Sequence, residues 1–288
     1  MIFMLKKELR HLFGGLRSFA SIGILLLFCS IYTVSKNMIA GSSDFSIALM
    51  GSFPATVALF PLLSCKLFSE DRKTNSQGLL YSFSLRPIDI VLGKYLSLLT
   101  VYAIPTLILA CYPFLLSFFG EIRMKQAYFA WLGYFLLGAA LLSLCLFLSL
   151  FFKKAKITYM LGGGVLLLLY LLQLLILKIP TANIFSFIVI ELLLVGLCVW
   201  LWLAVKSRIA AIGAALLPIG AAILFAIRPL FFSSLFPRMI SKLNPFSRYV
   251  GFIYGRFDLG GILFYLSFAA FFVALTVIVV TYRRDEEI

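Results

Sequence analysis

Glu70-Asp71-Arg72-Lys73-Thr74-Asn75-Ser76-Gln77-Gly78-Leu79-Leu80-Tyr81-Ser82-Phe83-Ser84-Leu85-Arg86-Pro87-Ile88-Asp89-Ile90-Val91-Leu92-Gly93-Lys94 is a polar, charge-balanced segment in an otherwise apolar neighbourhood. Ser46–Cys65 runs up to it and Tyr95–Phe119 runs away from it. Each of those runs has the length of about 20 apolar residues that a helix needs to cross a bilayer. The segment is therefore a solvated connection between two membrane helices. A chain that only anchored itself would not need such a connection, whereas one that takes mechanical instruction from a soluble partner would.

The rest of the chain agrees with that class. Of 288 residues, 63% are hydrophobic and 12% charged, against about 45–50% apolar usage in soluble domains. The chain reads as an all-α, polytopic integral membrane protein. Its net charge of +14 sits on Lys and Arg residues between apolar runs. It is assigned to topology and lipid headgroups, with no nucleic-acid partner. Cys29, Cys65, Cys111, Cys145 and Cys198 fall within or beside apolar runs at no metal-like spacing, and read as small apolar fillers. The N-terminal residues are basic but include Glu8, and no small-residue cleavage pattern follows, so the N-terminus reads as retained.

Eight spans are expected: Phe19–Ser35, Ser46–Cys65, Tyr95–Phe119, Ala127–Phe152, Ile157–Leu177, Asn183–Val205, Ile209–Ile227 and Gly261–Val280. With both termini inside, most basic residues, among them Lys6, Lys7, Arg10, Arg17, Lys66, Lys153, Lys154 and Arg283, fall on the inner side. The short outer loops then carry only Lys36, Arg123, Lys125 and Lys178. This positive-inside pattern predicts a multi-pass protein of the cell inner (plasma) membrane with cytoplasmic termini. Residues 228–260 form a long, half-apolar outer segment, interrupted by Pro237, Pro245, Gly251 and Gly255, in which short helices are expected.

Residues 1–17 predict an amphipathic interfacial helix, with Leu5, Leu9, Leu12 and Leu16 recurring on one face. It serves either as an anchor or as a lever between a cytosolic partner and the first span. Pro54 and Pro61 interrupt the second span, Pro105 and Pro113 the third and Pro218 the seventh; each removes a backbone donor and favours a kink. Gly162-Gly163-Gly164 permits close helix approach.

Catalytic machinery is not evident. His11 is the single histidine, no Glu-x-x-His cluster lies in the spans, and no Gly-x-x-x-x-Gly-Lys-Ser/Thr phosphate loop occurs. The chain is therefore expected to be no enzyme, with no catalytic, metal or directly bound cofactor site. Glu191 is the one acidic residue well inside a span. A charge there is costly, which makes it an ion- or proton-site candidate or a packing carboxyl, with Gln173 as a potential neighbour. Within residues 66–94, Glu70, Asp71, Arg72 and Lys73 continue the second span and pair at helical spacing. Thr74, Asn75 and Ser76 break the chain. Gly78–Leu85 then reads as a short cross-helix with Leu79, Leu80 and Phe83 on one face, suited to a groove in a soluble partner.

These residues carry a resemblance. The charged cluster Glu70 to Lys73, Leu79-Leu80, Ser82 and Ile90-Val91-Leu92-Gly93-Lys94 resemble the coupling loop of permeases of the type 2, ABCG-like class of ABC exporters. Leu5-Lys6-Lys7-Glu8-Leu9-Arg10 is similar to that family's opening helix. Asn244-Pro245-Phe246 with Gly255-Arg256-Phe257-Asp258-Leu259 is similar to its last outer loop. The chain departs from the pattern at Gly78, where an acidic residue is frequent, and at Ser84, where a proline is frequent. The resemblance implies a six-span core plus an inserted helix pair over residues 183–227. It implies a second permease chain, identical or homologous, and two copies of a separate ATPase that binds ATP and Mg. It also implies a coupling surface of Glu70, Asp71, Arg72, Lys73, Leu79, Leu80, Phe83 and Lys94, and efflux of an amphipathic peptide, lipid or drug-like substrate. The alternative reading is a stand-alone secondary transporter or channel built around Glu191.

Overall fold

The computed structural model describes residues 2–73, 86–152, 154–176, 187, 191, 241–255 and 258–287. Every regular element among them is helical. The cross-helix expected at Gly78–Leu85 and, apart from Phe187 and Glu191, the spans expected at Asn183–Val205 and Ile209–Ile227 lie outside the described residues. The chain divides into two compact units, Met1–Tyr170 with Arg248–Ile288, and Leu171–Ser247.

The helices are α1 (Ile2–Phe13), α2 (Leu16–Thr33), α3 (Ser46–Gly51), α4 (Phe53–Lys73), α5 (Pro87–Ala110), α6 (Tyr112–Leu116), α7 (Met124–Leu148), α8 (Ala155–Ile176), α9 (Pro245–Arg248), α10 (Val250–Ile253) and α11 (Leu259–Glu287). A wider π-helical turn, Val34–Ile39, extends α2. Five stretches are long and apolar enough to cross a membrane: Leu16–Ile39, Pro87–Leu116, Met124–Leu148, Ala155–Leu175 and Leu259–Arg284. They correspond to the first, third, fourth, fifth and last of the expected spans, as a polytopic membrane protein requires.

The second expected span is not one helix. It breaks at Ser52 into α3 and α4, leaving Phe53–Ser69 as a shorter apolar helix. Pro54 explains the break: its ring clashes with the carbonyl four residues back, at Met50, and it offers no N–H to continue the ladder. Pro113 acts alike, ending α5 at Ala110 and starting α6. Pro61, by contrast, is accommodated inside α4. At the start of α5, Arg86 is extended, Pro87 occupies the first turn and Asp89 follows. This suits a helix start, because the first-turn N–H groups are unpaired and attract negative charge.

Within the first unit, α7 is the central helix, with 67% of its apolar window buried against 17% for α8 and for α11. It packs on α3, α4, α5, α10 and α11. Between bilayer-embedded helices close packing replaces the hydrophobic drive, so small residues matter, and α7 buries Gly133, Gly138, Ala139 and Ala140. A Cβ on Gly138 would overlap the Tyr102 ring and hydroxyl, so only glycine lets α5 and α7 close around that ring. The Tyr102 hydroxyl donates to the Tyr134 carbonyl at 2.8 Å. Ser52 Oγ reaches the Tyr134 hydroxyl at 2.9 Å. Phe53 stacks on Tyr134 at 6.2 Å, and Phe60 meets Tyr102 edge-on at 5.1 Å. Such aromatic pairs contribute about 0.5–1.5 kcal/mol each beyond their area. Ser52, where the second expected span breaks, thus sits in the core and ties α3 and α4 to α7.

Short helices do occur in the 228–260 region: α9 and α10 are single turns. Gln126 on α7 donates to the Ile253 carbonyl at 2.6 Å, fastening α10 to the same core.

Candidate functional site

The site is at the end of the first unit where α4 leaves and α5 enters, on either side of residues 74–85. Three helices meet there. The helix α1 packs along the first turns of α5. It does so through Met4 and Glu8, which are buried, whereas Leu5, Leu9 and Leu12 are only partly covered. Leu16, expected on the same stripe, belongs to α2 and is 84% exposed. The bend at Gly14-Gly15 separates it from α1. The expected leucine face is therefore displaced, and the inward face is the Met4–Glu8 edge, one turn apart.

Contact at that edge depends on Gly93. A Cβ there would lie 2.9 Å from Met4 Cβ and 3.4 Å from the Leu5 nitrogen. Met4 and Ile90 pack together in a small buried cluster. One residue after Gly93, the Lys94 side chain turns inward and is 1% exposed. Its ammonium donates to Glu8 Oε1 at 2.9 Å and to the Leu67 carbonyl at 2.6 Å. It also lies 5.0 Å from the centroid of the Phe68 ring. A buried lysine needs such partners, because its desolvation alone costs several kcal/mol. Here one ammonium links α1, α4 and α5.

Other expected site residues are placed as follows. Glu70, Asp71, Arg72 and Lys73 form the last turn of α4. Leu79, Leu80 and Phe83 lie outside the described residues. Lys94, expected on a surface facing a partner, is interior and already bonded. Glu8, Met4 and Leu67 complete the junction. The sequence signal for Glu8 was its isolation as the only acid in a basic helix. The signal for Lys94 was a lone cation following glycine at the head of an apolar run.

Glu191 is half-buried in the second unit, with Oε2 buried and without a hydrogen-bond partner. Gln173 Oε1 is likewise buried and unbonded. Among the described residues, no group of three or more His, Cys, Asp or Glu side chains is arranged to hold a metal ion. Compared with family models, curated proteins and solved structures, the chain matches none.

Proposed function

We propose that this chain is the membrane-spanning subunit of an ATP-driven exporter of the type 2, ABCG-like class, moved by a separate ATPase. The observation that carries the reading is the Lys94 junction. The helix before residues 74–85, the helix after them and the N-terminal helix are bound through one buried ammonium. A force applied to the 74–85 segment is then delivered to three helices together instead of bending one. In this reading the Lys94 end is cytoplasmic and the protein lies in the plasma membrane with both termini inside. Two ATPase copies supply ATP and Mg chemistry and a second permease chain completes the pathway. Glu70, Asp71, Arg72, Lys73, Leu79, Leu80 and Phe83 meet the ATPase, and Lys94 passes the motion inward. The apolar faces of the helices suit an amphipathic peptide, lipid or drug-like cargo.

The test is reconstitution in vesicles with and without a candidate ATPase. Transport and ATPase stimulation that need both proteins support the proposal. Transport by this chain alone overturns it.

A second reading has its own observation: the orphaned, buried Glu191 Oε2. A carboxylate oxygen without a partner is a natural cation or proton acceptor. Under this reading an ion gradient suffices for transport and Glu191→Gln abolishes it; a Glu191→Gln protein with unchanged, ATP-dependent transport removes it.

A further inference from the structure

A cavity of about 520 Å³ opens at the elbow between α1 and α2, closed on its far side by α4. That volume falls in the range of about 300–1,000 Å³ typical of small-ligand sites. Its lining has two chemistries. Arg10 and Arg17 provide guanidinium donors beside His11 and Lys66, which have partners of their own, and no carboxylate is among the described lining residues. Leu12, Leu16, Leu62, Leu63 and Leu67 provide an apolar floor. The start of α2 lines the same cavity, and no side chain caps its first N–H groups.

We infer that this cavity binds the headgroup and upper acyl chain of an anionic glycerophospholipid of the surrounding bilayer. Arg10 and Arg17 are exposed on either side of the Gly14-Gly15 bend and both line the cavity, where a phosphate would sit. Guanidinium groups suit this because they offer forked donors that match phosphate oxygens. The leucines beneath match an acyl chain, and Leu16 and Phe19, 84% and 56% exposed, continue the apolar surface along α2. A soluble phosphate compound would satisfy the arginines and leave the leucine floor uncovered, whereas a zwitterionic lipid would bring a cation against the rim. The inference is independent of an ATPase partner: it needs only that α2 and α4 end at a bilayer face.

The test uses the purified full chain in detergent, titrated with phosphatidylglycerol, phosphatidylcholine or inorganic phosphate and read by native mass spectrometry. Phosphatidylglycerol is expected to bind tighter than phosphatidylcholine. At about fivefold per basic side chain near an anionic surface, the double variant Arg10→Gln/Arg17→Gln should bind it about 25-fold more weakly. Arg10→Lys/Arg17→Lys should retain most of the affinity, and Arg123→Gln at the other end of the bundle should retain all of it. Equal binding of the two lipids, an unaffected double Gln variant, or full competition by millimolar phosphate overturns the inference. If the Gln variant does not fold, photoreactive phosphatidylglycerol on the unaltered chain decides. Label concentrated on residues 10–18 and 62–67 supports the site, and label spread evenly over apolar faces overturns it.

Discussion

Lys94 and Glu8, 86 residues apart in sequence, meet at 2.9 Å with both side chains buried. Removing one partner of such a pair strands the other charge, at about 3–5 kcal/mol, whereas replacing both by apolar groups is often neutral. Lys94→Met alone should therefore lower the unfolding midpoint in detergent sharply, and Glu8→Leu/Lys94→Met should recover most of the loss. Additive effects of the two substitutions would show that the pair does not act as a unit.

Gly138 leaves no space for a side chain against Tyr102. Gly138→Ala should cost about 1–3 kcal/mol through overpacking. In a Tyr102→Ala background the same change should cost much less. Thermal unfolding of the four proteins measures the coupling, and equal costs in both backgrounds would contradict the packing described.

Thiol accessibility offers a direct check of the fold. Cys111 is exposed at the end of α5, whereas Cys29, Cys65 and Cys145 are buried. In a Cys198→Ser background, N-ethylmaleimide should modify Cys111 quickly and the other three only on denaturation. Mass spectrometry of the digested protein reads this, and prompt labelling of Cys145, buried in the last turn of α7, would be incompatible with it.

For the exporter reading, Leu80→Asp or charge reversal across Glu70–Lys73 should leave the chain inserted and folded. Each should remove substrate-stimulated ATP hydrolysis by the reconstituted complex. Wild-type stimulation in both variants would place the motor contact elsewhere.

Much of the architecture was legible because a bilayer imposes a length on its helices: five of the eight expected runs are matched by helices of spanning length. The second run was expected as one span interrupted at Pro54 and Pro61; the first interruption is a full break at Ser52, whereas Pro61 is carried inside α4. The candidate site was only half legible. Lys94 stood out as a cation where the third span begins, but its partners belong to residues 8 and 67, and sequence distance hides such pairings. The amphipathic period of residues 1–17 pointed to a leucine stripe. Tertiary contact instead chose the adjacent edge, because Gly93 offers its recess to Met4 and the next residue, Lys94, offers a polar partner to Glu8.

The break at Ser52 has a consequence for the surrounding lipid. Phe53–Ser69 rises only about 25 Å at 1.5 Å per residue, shorter than a hydrocarbon layer of about 30 Å. Its neighbours in the bundle are longer. Most side chains of Phe53–Ser69 are buried within the bundle, so the longer helices stand between it and the lipid and carry the hydrophobic match. The short helix is thereby relieved of the length that a bilayer imposes on any helix facing it.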